Sequence, residues 1–156
     1  VVQPREYLFV AIDDHSRFAF ADILPDKTSY SAAIFLEEAK RFCPFPVAGI
    51  YSDNGSEYKG KAGHPVHDLC RFHGIAQGFT KVKHPWTNGK AERFIRTLMD
   101  EWHGRSRTNH LSRAHRRRHL YAYVDWYNQV RTHQSLNSTP LARLEAYVKS
   151  VNNACG

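Results

Sequence analysis

The order in which strand-forming and helix-forming runs follow one another most constrains what this chain can fold into. Two short apolar runs come first. YLFVAI, from Tyr7 to Ile12, reads as a buried strand, and after the turn sequence DDHSR the run RFAFADIL alternates with Phe18, Phe20 and Ile23 facing inward. Together they predict an antiparallel hairpin. SAAIFLEEAKRF then has helical spacing through Ala33, Ile34, Phe35, Leu36 and Lys40, and the proline-bearing CPFP stops it. VAGIYS reads as a third strand, PVHDLCRFHG as a short helix ended by Gly74, and IAQGFT as a further strand. From TNGKAE onward the pattern is helical almost to the end. This order belongs to a mixed α/β sheet with helices packed on it.

The chain has 156 residues, 42% of them hydrophobic and 13% aromatic, enough for one domain with a buried core rather than a disordered segment. Lys and Arg number 22 against 15 Asp and Glu, a net charge of +7 that favours a polyanionic partner, nucleic acid before membrane. No apolar run approaches the roughly 18 residues of a membrane span, so no membrane association is expected. Cys43, Cys70 and Cys155 are odd in number and widely spaced, which implies no disulfide framework and a reducing, cytoplasmic setting. The first residue is Val1, as expected of a piece of a longer protein.

Two carboxylates stand out. Asp53 in YSDNGSEY sits where a strand meets an Asn-Gly turn, and Glu92 lies in the first turn of the helix read from KAERFIRTLMDEW. That helix carries Ala91, Phe94, Ile95, Leu98, Met99 and Trp102 as one apolar stripe, with Glu92 at its edge beside Met99 and His103. Thr87 and Asn88 are suited to cap its start. Each carboxylate alone has an ordinary explanation, Asp53 as a turn residue and Glu92 as a complement to the helix dipole.

The combination is more specific. YSDNGSEY, HGI and HPWTNGKAERFIRTL together resemble the catalytic core of the retroviral integrase and insertion-sequence transposase superfamily, which carries an Asp, Asp, Glu metal triad. The opening YLFVAIDDHSRFAFADIL resembles its second and third strands. The closing WYNQVRTHQSLNSTP resembles the segment that follows the core in bacterial insertion-sequence transposases. The resemblance covers most of the chain. It implies a ribonuclease-H-like mixed sheet flanked by helices that lacks the family's first, central strand. It also implies a catalytic core over residues 1–110, truncated at its N-terminus, and a helical extension over 111–156.

Carried over residue by residue, the resemblance makes Asp53 the second triad Asp and Glu92 the Glu, both catalytic and metal-binding. KGKAGHP is expected to absorb the slightly long separation between them as an extended loop. The implied cofactor is Mg²⁺ or Mn²⁺, two ions in the complete site. Displacement at phosphorus has oxygen as both nucleophile and leaving group, and two ions roughly 3.5–4 Å apart assist both. Mg²⁺ takes oxygen ligands, which explains carboxylates where His or Cys would otherwise serve. The implied activity is DNA cleavage and strand transfer on element ends and target DNA, in a bacterial cytoplasm. It calls for a homodimer or larger assembly.

VVQPREYLF contains no match for the first triad Asp. Asp13 and Asp14 lie at the wrong end of a strand, roughly 20 Å away at about 3.3 Å per residue, and nothing orients Glu6. The first Asp is therefore expected upstream of Val1, with this piece itself weakly active or inactive. The absent strand would leave backbone groups unpaired, to be met by shifted pairing, strand swapping with a second chain, or a distorted sheet. The alternative reading is a non-catalytic DNA-binding or assembly module.

Arg96, one turn after Glu92, with Lys90 and Arg93 on the same helix, and the run Arg116, Arg117 and Arg118 are the candidate DNA-backbone contacts, expected to be salt-sensitive. His64, His67, Cys70 and His73 stand three apart and rotate by about −60° per step on a helix, so they cannot converge on one zinc. Val66, Leu69, Cys70 and His73 are expected to pack inward instead. Trp126 and Tyr127 read as packing residues, His84 and Trp86 as loop residues, and Thr139-Pro140 as a helix start.

Overall fold

The computed structural model describes residues 5–80, 89–106, 110–135 and 137–155. β1 (Tyr7–Ile12) and β2 (Ala19–Leu24) form one two-stranded sheet, while β3 (Gly49–Ser52) and β4 (Ala76–Phe79) form another. The short link between β1 and β2 permits only antiparallel pairing. β3 and β4 are parallel, in the register Gly49 to Ala76 through Ser52 to Phe79, and α2 (Pro65–His73) lies in their crossover. The other helices are α1 (Ser29–Phe42), α3 (Gly89–Thr97), α4 (Gly104–Ser106), α5 (Arg113–Gln129) and α6 (Pro140–Ala154), with a π-helical stretch, Leu98–His103, between α3 and α4. Among the described residues the strands thus form two separate two-stranded sheets and no continuous one. None of their helices is long and apolar enough to cross a membrane.

The chain forms two compact units, one of residues 1–9 and 22–92, the other of 10–21 and 93–156. The hairpin tip thus belongs with the C-terminal helices. In the first unit Phe9 meets Phe35 at 5.5 Å between ring centroids, and His73 bonds Glu37 at 2.8 Å, tying α2 to α1. Thr28 caps α1 by accepting from Ser31 N at 3.2 Å, and Asp26 accepts from the Thr28 and Ser31 hydroxyls at 2.7 Å each. Those bonds hold the Asp26 carboxyl below its ordinary pKa. Gly74 ends α2 in the left-handed conformation, at φ 67°, which favours glycine.

The second unit is organised by Asn128, a fully buried residue of α5. Its Oδ1 accepts from Ala19 N at 2.9 Å and its Nδ2 donates to Ala19 O at 2.8 Å. One side-chain amide thus gives β2 both bonds that a neighbouring strand residue would give. Tyr127 packs on Phe94 at 4.8 Å, and Phe20 stacks on Tyr121 at 5.9 Å. Glu101 then receives Arg131 through two bonds, 2.7 and 3.2 Å, and the Tyr123 hydroxyl at 2.7 Å. Burial alone would push the Glu101 pKa up, but the Arg131 and Tyr123 bonds outweigh it and hold it below 4.5. Thr139 caps α6, accepting from Ala142 N at 3.3 Å, with Pro140 at its first position.

Three expectations are corrected. β2 does not alternate: all six residues are buried, Asp22 included. The stripe after Glu92 is narrower than 3.6-residue periodicity implies. Phe94, Leu98 and Trp102 are buried, but Ile95 and Met99 are 38% and 45% exposed. The buried face is therefore the row four residues apart formed by Phe94, Leu98 and Trp102, the last two within the π-helical stretch. Trp126, expected to pack, is 43% exposed, whereas Tyr127 is buried.

Replacing Asn128 with Ala leaves a buried N–H and C=O unpaired, and the expected loss is about 3 kcal/mol of unfolding free energy. Urea denaturation measures it, and a loss below about 0.5 kcal/mol would show that Ala19 finds other partners. The lowered Glu101 pKa contributes stability present above about pH 4.5 and lost as the pH falls through the folded-state value. Thermal melts from pH 7 to 3 should therefore show a shallower acid decline for Glu101→Gln than for the parent, with a cost of about 2 kcal/mol at pH 7.

Candidate active site

Asp53 directly follows β3 and is exposed, and its Oδ1 accepts from Gly55 N at 2.9 Å. This self-made turn is what an Asp before Asn-Gly ordinarily builds. The rest of the segment is tied down from outside. Asn54 Nδ2 donates to Thr80 O at 2.6 Å, just beyond β4, and Lys59 donates to Asn54 Oδ1 at 3.0 Å. Gln77 of β4 donates to Tyr58 O at 2.7 Å. The carboxylate is thus presented at a strand end by a loop anchored to the neighbouring parallel strand.

A second carboxylate, unnoticed in the sequence reading, stands beside it. A β-carbon on Gly55 would lie 2.5 Å from Glu57 Oε2 and 2.9 Å from Asp53 Oδ1, so both acids close on the same bare α-carbon. Burial, then the charge of Glu57, then that of Asp53 push the Tyr58 hydroxyl up to about 12. The signal was present in YSDNGSEY, but only the turn reveals that residues four apart face one glycine. An all-oxygen donor set of like charges, converging where a β-carbon would intrude, fits a hard divalent cation such as Mg²⁺. Asp53 and Glu92 remain the sequence-based ligands.

Glu92 is exposed in the first turn of α3, as are Arg93 and Arg96 further along that helix, while Lys90 is half-buried. Among the described residues no group of three His, Cys, Asp or Glu side chains is placed to hold a metal ion. Asp13 spends its carboxylate on the hairpin turn, accepting from Ser16 N at 2.7 Å and Ser16 Oγ at 2.6 Å. On α5, Arg118 is exposed, whereas Arg116 donates to Leu111 O and Arg117 to the Tyr121 hydroxyl at 2.8 Å. His64 and His73 face different partners, Ser56 O and Glu37. Val66 and Cys70 are buried, and burial pushes the Cys70 thiol up. His84, Trp86, Thr87, Asn88 and Arg107 lie outside the described residues.

The mixed α/β arrangement is the ribonuclease-H-like fold, and within it Asp53 stands at a strand end and Glu92 in the first turn of a helix. The comparisons agree. Two models described as integrase core domain match residues 2–85 and 73–140, and the chain belongs to the integrase core domain family. An uncharacterized protein of Caenorhabditis elegans is 32% identical over 92 residues, covering 59% of this chain and 7% of that protein. The Gag-Pol polyprotein of bovine immunodeficiency virus is 27% identical over 97 residues, covering 62% and 6%. The chain therefore spans under a tenth of the length of either. Among solved structures, the catalytic core domain of the bovine immunodeficiency virus integrase superposes with a TM-score of 0.69 at 21% identity, covering 96% of this chain and 90% of that one. A chain of the simian T-cell lymphotropic virus intasome, solved with a PP2A regulatory subunit, superposes at 0.74 and 20% identity, covering 87% and 47%.

Because Asn54 bridges the Asp53 turn to the end of β4, Asn54→Ala should loosen that turn without unfolding the unit. Amide exchange at Tyr58 and Lys59 should quicken about fivefold, equivalent to about 1 kcal/mol of local closing. Unchanged exchange would show that Gln77 alone suffices.

Proposed function

We propose that this chain is the catalytic core of a DNA transposase or integrase performing divalent-metal-dependent cleavage and strand transfer. The observation that carries this reading is the placement of Asp53 at the end of β3, held by its own turn and by the Asn54 tie to the end of β4, within a chain of the integrase core family. Asp53 and Glu92 would hold Mg²⁺ or Mn²⁺, together with an Asp from outside this chain. The metal, when bound, stabilises negative charge on the phosphate oxygens and activates an oxygen nucleophile. The protein's share is to aim the two carboxylates and hold the DNA.

DNA would be held by the phosphate-binding charges exposed on the helices, Arg93 and Arg96 on α3 and Arg113 and Arg118 on α5. Arg116 and Arg117, being engaged locally, would stiffen the start of α5 and contribute charge at longer range. Handling two DNA ends together calls for at least a dimer, and we read the setting as a reducing cytoplasm.

The test is a joining assay using the full-length protein that carries this chain, labelled element-end duplex and Mg²⁺. Joined product is expected, with a fall of at least about 100-fold in both Asp53→Asn and Glu92→Gln while DNA binding persists. Cleavage without joining would make the chain a simple nuclease. Salt-sensitive binding without product in any form would make it a DNA-binding or assembly module.

A further inference from the structure

The extended loop before α2, read from sequence as a spacer, carries a side chain with a specific task. His64, the residue preceding α2, turns its ring back onto the Asp53 segment, and Nε2 bonds Ser56 O at 2.9 Å. Ser56 lies between Gly55 and Glu57, the centre of the turn on which the two carboxylates converge. Asn54 and Gln77 tie the flanks of that turn, whereas His64 ties its middle.

Three further features show a built contact. A β-carbon on Gly60 would overlap the His64 ring and its β-carbon, so a larger residue there has to displace the ring. The loop is bent to deliver it: Gly63 takes φ 90°, and its N–H donates to the Asp68 carboxylate at 3.0 and 3.2 Å. With Ser56 O accepting, Nε2 carries the proton of this bond, and Nδ1 is buried with no hydrogen-bond partner. An orphaned polar atom is a cost that a plain spacer has no reason to carry.

We propose that His64 is a positioning residue for the candidate metal site: by holding Ser56 O it fixes the Asp53–Glu57 turn in the geometry that brings both carboxylates together. The inference rests on the metal-binding reading of Asp53 above, but the placement it asserts is measurable without metal. His64 itself touches neither metal nor DNA. It acts through the backbone, in the way that outer residues orient metal ligands.

The experiment uses the full-length protein with His64→Ala, His64→Gln and Gly60→Ala, reading Mn²⁺ affinity by calorimetry and amide exchange at Gly55, whose N–H bonds Asp53. His64→Ala should weaken Mn²⁺ binding about tenfold and speed Gly55 exchange, as expected on loss of an outer positioning contact. Gly60→Ala should do the same by expelling the ring with the imidazole intact. His64→Gln, which keeps a donor at the right reach, should restore both. Parental Mn²⁺ affinity and Gly55 protection in His64→Ala, with only a lowered melting temperature, would overturn the proposal by making His64 ordinary loop packing. If Asp53→Asn leaves Mn²⁺ binding unchanged, the metal reading fails, and Gly55 exchange in His64→Ala then decides by itself whether His64 places Asp53.

Discussion

The side-chain amide of Asn128 does the work of a strand. A strand edge buried under a helix leaves an N–H and a C=O without water or partner, and a primary amide is the side chain that can answer both at once. At Ala19 it does, and the consequences extend through the second unit. Fixing Asn128 against β2 fixes the rotation of α5. That rotation sets Tyr127 on Phe94, and it points Tyr123 at Glu101, which also receives Arg131 from just past the helix end. The segment that follows Arg131 then turns through the bridge between His133 and Ser138 into the Thr139 cap of α6. The closing motif WYNQVRTHQSLNSTP is thus largely a packing and capping device.

The first unit solves a different problem, holding an exposed acidic turn in one shape. Asp53 and Glu57 bring two like charges to the same small space beside Gly55. The turn is held by ties to β4 and by the His64 ring, none of which requires a third carboxylate from this chain. Structure and charge here oppose each other, a pattern common where a ligand of the opposite charge completes the balance.

Much of the architecture was legible because local rules and tertiary packing agree. YLFVAI, the helix ended by CPFP, and the helix stopped at Gly74 have the extents their apolar spacing and stop signals indicate. Reading failed where packing overrode periodicity. β2 is buried along its whole length, where alternation expected every second residue to face outward. Ile95 and Met99 fall outside the narrower buried row of Phe94, Leu98 and Trp102, although 100° per residue had assigned them to the stripe. Trp126 and Tyr127 are adjacent aromatics that composition cannot distinguish, and only the rotation set by Asn128 decides which one is buried.

By itself the sequence determined the order of elements and their approximate ends, and it singled out the two carboxylates proposed to hold metal, because each depends on residues close together in the chain. Tertiary structure alone decided which side chains complete the scheme. The Asn128 amide reaches a residue more than a hundred positions away, Glu57 faces Asp53 only once the turn has closed, and His64 becomes a clasp only when its loop bends at Gly63. The physical reason is the same in each case. Hydrogen bonds and charge pairs act over a few ångströms of space, and distance along the chain carries no record of which groups the fold will bring within that reach.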